Sequence, residues 1–139
     1  MKALKLAGVA VAAHEGPGYK PLLVSDGDWM AAIMNGTRTS WRVPDLIEHH
    51  PKTDELFVLV AGRAMMIVTG RGKEPGRVRC VEMERNVLYN VKAGTWHATP
   101  MTPRARFIII ERTGTDKTGS FTRPLSAAQR SAIRLGGRK

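Results

Sequence analysis

Short apolar runs recur along this chain, separated by turn residues. Phe57 to Val60 and Ala64 to Val68 are the clearest, joined by Ala61-Gly62-Arg63, a connection short enough for a hairpin. Pro21 to Val24 and Trp29 to Met34 flank the turn Ser25-Asp26-Gly27-Asp28. Asn35-Gly36 is a further turn signal, and Thr37 to Val43 reads as another strand with Trp41 and Val43 on one side. Beyond the glycine-rich loop from Gly70 to Gly76, Arg77 to Met83 alternates, as does Val87 to Val91. Thr95 to Ala98 resumes extended chain after Lys92-Ala93-Gly94, and Phe107 to Ile110 is rich in β-branched residues. Many short strands with turns between them predict an antiparallel sandwich or barrel. No helical pattern lies between the strands, which argues against a parallel α/β sheet.

The C-terminal part reads differently. Residues 1–112 are assigned to the β-barrel and 113–139 to a basic C-terminal extension. Leu125 to Leu135 predicts a helix, with Ser126 and Gln129 spaced as a capping box and Gly136 placed to end it. At the other end, Met1 to Ala13 reads as an opening strand rather than a signal peptide, because Lys5 and Gly8 interrupt its apolar character.

Charge next to an apolar run needs a partner or a metal. Glu48, His49, His50 and Glu55 crowd into the stretch just before Phe57. Alternate residues of a strand share a face, so Glu48 and His50 point together and His49 points away. Glu55 shares its face with Phe57 and Leu59. A second imidazole can come from a distant strand, and His97 is the candidate. Two imidazoles with one or two carboxylates suit a divalent transition metal: Zn, Mn, Fe, Ni or Cu. The plainer readings are an exposed His49-His50 loop, a Glu55 ion pair with Lys52 or Arg63, and a packed His97.

Composition narrows the classes. The 139 residues suit one domain, and 22 Lys and Arg against 12 Asp and Glu leave a net charge of +10. The basic residues are spread out and densest from Arg123 to Lys139, and no nucleic-acid-binding motif accompanies them. The surplus suits anionic small molecules; nucleic-acid binding through the tail is the weaker reading. The single cysteine, Cys80, lies in an alternating run and reads as packing, in keeping with a reducing cytoplasmic location. No apolar run is long enough to span a membrane.

The stretch from Glu48 to Gly62 resembles the first motif of the cupin superfamily, a glycine, His-x-His, Glu and Gly pattern. His50, then four residues, Glu55, then six residues and Gly62 match it. Asn86 to Met101 resembles the second motif through Gly94-Thr95-Trp96-His97, with Lys92 where a proline is usual and Met101 where an asparagine is usual. The resemblance runs from about Trp41 to Glu111. It is closest to small single-domain uncharacterised cupins and, distantly, to ureidoglycolate-lyase-type cupins. It implies a cupin-type antiparallel β-barrel, a jelly roll, with His50, Glu55 and His97 as metal ligands. The first motif histidine falls on Glu48, which makes Glu48 a further ligand; His49 takes its place if the strand bulges. The function implied is a metal-dependent enzyme acting on a small anionic substrate, carboxylate or sugar-like, with Glu48 and Tyr89 as catalytic residues and Trp41 and Trp96 near the pocket. The alternative is a non-catalytic small-molecule-binding module. The resemblance also implies a homodimer.

Overall fold

A strand buried on one side alternates buried and solvated residues, and two such sheets are stable only face to face. The computed structural model of this protein describes residues 6–25, 27–115 and 120–136 and shows that arrangement. The strands in chain order are β1 (Gly18–Ser25), β2 (Trp29–Asn35), β3 (Leu46–His49), β4 (Glu55–Ala61) and β5 (Met65–Val68). There follow β6 (Arg79–Glu82), β7 (Leu88–Val91), β8 (His97–Ala98), β9 (Arg106–Arg112) and β10 (Phe121–Pro124). A short helix, α1 (Ala127–Ala132), comes last. One sheet has the order β1-β2-β9-β4-β7 and the other β10-β3-β8-β5-β6, and neighbouring strands run antiparallel.

The inner face of the first sheet follows from parity. Phe57 and Leu59 of β4 and Phe107 and Ile109 of β9 are buried, and their neighbours Ile108 and Ile110 are exposed. They meet Met66 from the second sheet, with Met83, Met101 and Ala105 from flanking loops, in the main core. The middle of the second sheet is covered on both faces. Ile47, Ile67 and Trp96 point outward from it and are roofed by Leu125 and Ile133. Burying each such side chain stabilises the fold by about 1.5–3 kcal/mol. Residues 125–135 of the C-terminal segment are therefore packed onto the domain through their apolar side chains.

Three sequence expectations are corrected. The run Phe57–Val68 is not a hairpin: β4 belongs to one sheet and β5 to the other. Gly62, at φ +70, turns the chain between them, and an added Cβ there would lie 2.5 Å from Ala105 Cα. Thr37 to Val43 is not a strand. The Ser40 hydroxyl donates to the Thr37 and Met101 carbonyls, and such local side-chain bonds replace a ladder. The helix is shorter than predicted, because Ile133 leaves helical geometry at φ −82, ψ 126 and is buried in the core cluster. The capping box between Ser126 and Gln129 is present. Of the expected opening strand, residues 1–5 lie outside the described residues, and Leu6–Val9 forms only an isolated bridge.

Candidate metal centre

The ligand candidates come from both sheets. Glu55 opens β4 in the first sheet, and its side chain is buried with those of Phe57 and Leu59. Glu48 lies on β3 and His97 opens β8, where the two are register partners; His50 follows β3 directly. Two backbone ties bring the motifs together. Gly94 N–H donates to the His50 carbonyl at 2.8 Å, and Ala93 N–H donates to the Asp54 carboxylate at 2.8 Å. The Ala93 bond above all, opposed by desolvation and supported by Lys92 and Asn90, holds the Asp54 carboxyl below the usual range. As a result one ligand atom from each of Glu48, His50, Glu55 and His97 lies within 4.8 Å of the others.

Hydrogen bonding orients both rings. A carbonyl only accepts, so His97 donates its Nδ1–H to Thr95 O, 2.9 Å away. The Ser120 hydroxyl donates to Thr115 O at 2.9 Å, so its oxygen accepts from His50 Nδ1–H at 2.9 Å. That leaves the two Nε2 atoms facing Glu55 Oε2, at 2.8 Å from His50 and 3.0 Å from His97. A neutral ring protonated at Nδ1 presents a lone pair there, and lone pairs facing a carboxylate repel. The cluster therefore calls for positive charge at its centre, either protons on the Nε2 atoms or a metal ion. Such a donor set fits a divalent transition metal: two imidazole nitrogens with their other N–H groups satisfied, and one or two carboxylates. With no metal, burial works against charge on both partners, yet their mutual hydrogen bonds win. His50 is drawn above its ordinary 6.5, where desolvation alone would lower it and Glu55 more than compensates. Desolvation alone would raise Glu55, but His50 and His97 bring its carboxyl down to about 2.

A cavity of about 300 Å³ opens beside the cluster, lined among others by Glu48, His50, Glu55, Phe57 and Thr99. No protein-family model and no curated protein matches the sequence. Solved structures do match the fold. Oxalate decarboxylase from Bacillus subtilis aligns at TM-score 0.55 and 14% identity over 88% of this chain and 42% of that one. A mutant of the same enzyme aligns at 0.53 and 18%, over 78% of this chain and 29% of that one. A Bacillus halodurans protein aligns at 0.53 and 18%, over 70% and 73%. This chain has a cupin fold. It spans less than half the length of the oxalate decarboxylase chains it matches.

Glu48, on which the resemblance places the first motif histidine, has a side chain 44% exposed, and its Oε1 lies 3.9 Å from His97 Nε2. His49 does not substitute for it. No bulge turns the strand there, and the His49 ring stacks on Trp96, centroids 3.9 Å apart, on the far face of the sheet. Trp96 is fully buried in the outer core and Trp41 donates Nε1–H to Gly136 O, so neither lines the cavity. Tyr89 is also apart from the lining. It packs against the main core, and its hydroxyl oxygen accepts the Glu84 N–H at 2.9 Å. Its register partner Phe57 takes the place beside the cavity.

Glu111, Tyr19 and Ser120 are among the lining residues that escaped the sequence reading. Glu111 is buried directly across from Glu55 in the β4–β9 ladder, and Tyr19 on β1 donates its hydroxyl to Glu111 at 2.5 Å. The alternation Phe107, Ile109, Glu111 carried the signal for the carboxylate. Tyr19 and Ser120 carried none, since each depends on how distant strands are placed.

Proposed function

We propose that this cupin is a metal-dependent enzyme acting on a small polar substrate in the cavity beside Glu48, His50, Glu55 and His97. The observation that carries this reading is the convergence of two imidazole Nε2 atoms on one buried carboxylate, each ring held by its Nδ1–H. His50, His97 and Glu55 would hold the ion, with Glu48 as a further ligand or as the general base. A bound divalent ion supplies Lewis-acid polarisation of a substrate oxygen. The chain's own residues do the rest. Glu48, half-exposed at the cavity, can take a proton from a substrate hydroxyl. Phe57 and Ile109 keep one wall apolar and exclude water. The basic surplus of the chain does not extend to the lining. Among the described lining residues there is no lysine or arginine, while Glu48 and Thr99 offer hydrogen-bonding oxygens. That supports a neutral, sugar-like substrate over a carboxylate.

A metal-bound protein that turns over none of a panel of aldoses, ketoses and small hydroxy acids would favour the binding-module reading instead. The enzyme reading predicts turnover of at least one sugar-like compound, abolished by chelator and by Glu48→Gln. No helix among the described residues is long and apolar enough to cross a membrane.

We also infer a homodimer. The outward positions of the first sheet form two apolar rows in register: Ala31, Ile110 and Leu56, then Ile33, Ile108, Val58 and Leu88. Lys20, Asn90 and Arg112 border them. An apolar centre with a polar rim is the anatomy of an interface, and a flat, two-row patch can pair with its own copy.

A further inference from the structure

We propose that Ser120 is the positioning residue that sets His50 for metal binding, so that the chain entering β10 is part of the metal centre. The proposal rests on the metal reading above. A neutral imidazole binds a metal only through the nitrogen that lacks a proton. For His97 that choice is made within the second motif, by the Thr95 carbonyl. For His50 it is made by a side chain 70 residues further along the chain, the Ser120 hydroxyl.

The structure holds Ser120 in this role from two directions. β10 runs antiparallel along β3 with Phe121 opposite His49, which brings the preceding residue, Ser120, alongside His50. The Ser120 hydroxyl hydrogen is committed to Thr115 O, so toward His50 the oxygen can only accept. Thr115 is itself buried, and its hydroxyl donates to Arg112 O at 2.7 Å, at the end of β9. Removing the Ser120 oxygen leaves His50 Nδ1–H without its acceptor. The ring then gains by moving its proton to Nε2, toward Glu55 Oε2, and that is the nitrogen a metal needs. Leu125 and Ile133, buried against Ile47 and Trp96, anchor the chain beyond β10 and keep it beside β3.

The test uses the full chain, with Zn²⁺ alone as the probe, in competition with a chromophoric chelator. Ser120→Ala is expected to weaken zinc affinity by about 10–100-fold with an unchanged far-UV spectrum, the usual cost of losing a ligand's orienting partner. Ser120→Thr, which keeps the hydroxyl, is expected to restore most of it. In the zinc-loaded wild type, ¹⁵N NMR of the His50 ring is expected to show a slowly exchanging proton on Nδ1, and in Ser120→Ala a rapidly exchanging one. Equal zinc affinity and an equally protected Nδ1–H in Ser120→Ala would overturn the assignment while leaving the metal reading intact. A wild-type chain that takes up no zinc would overturn both, and so is a separable result.

Discussion

Replacing Glu55 by glutamine removes the anion held between two buried imidazoles. Burial alone lowers the His50 pKa, and Glu55 is the largest influence raising it. In Glu55→Gln, His50 is therefore expected to titrate below its wild-type value, as read from NMR shifts of its ring protons in the metal-free protein. The pH dependence of folding has two windows. Glu55 titrates at about 2 when folded against 4.5 otherwise, so its contribution is present above 4.5 and drains away as pH falls toward 2. His50 is raised above 6.5, so its contribution is present below 6.5 and is lost as pH rises through the folded value. Metal-free protein is expected to lose stability on both sides in urea titrations at graded pH. Metal competes with the protons on the rings, so an added divalent ion is expected to flatten the alkaline loss. Parity made Glu48 and His50 legible as a pair and put Glu55 on the face of Phe57 and Leu59, because a strand forces the alternation. It gave no access to Ser120, whose role depends on a pairing between β10 and β3.

Among the elements, the turn at Gly62 carries the passage between sheets. Gly62→Ala must put a Cβ at φ +70 and against the Ala105 backbone. The expected cost is more than about 2 kcal/mol, from the left-handed conformation and the steric clash together. Chemical denaturation of the variant measures it. The same turn shows where sequence reading stops. Ala61-Gly62-Arg63 signals a reversal, but turn residues do not say whether the chain returns to its own sheet or crosses to the other. The strands with one buried face, β4 and β9, were legible because alternate residues are apolar and buried. β10 was not, since all four of its residues are exposed and it has no alternation to read. Thr37–Val43 had the composition of a strand, but Ser40 satisfies nearby carbonyls itself.

Over the whole molecule, the barrel, the C-terminal segment and the outer sheet face make separate demands. Leu125→Ala opens a cavity beside Trp96 and Ile47 and is expected to cost about 2–5 kcal/mol in unfolding free energy. It is also expected to weaken metal binding, because the same segment carries Ser120; a purely accessory tail would change neither. Ile108→Lys places a charge in the middle of the apolar rows and is expected to shift a dimer to monomer in light scattering, with the fold unchanged. The shared point between the two sheets remains the centre of the account, and anomalous diffraction from crystals soaked in zinc tests it most directly. A single peak bonded to Nε2 of His50, Nε2 of His97 and the Glu55 carboxylate is the predicted result. Crystals with no peak there, and both imidazoles still hydrogen-bonded to Glu55, would contradict it.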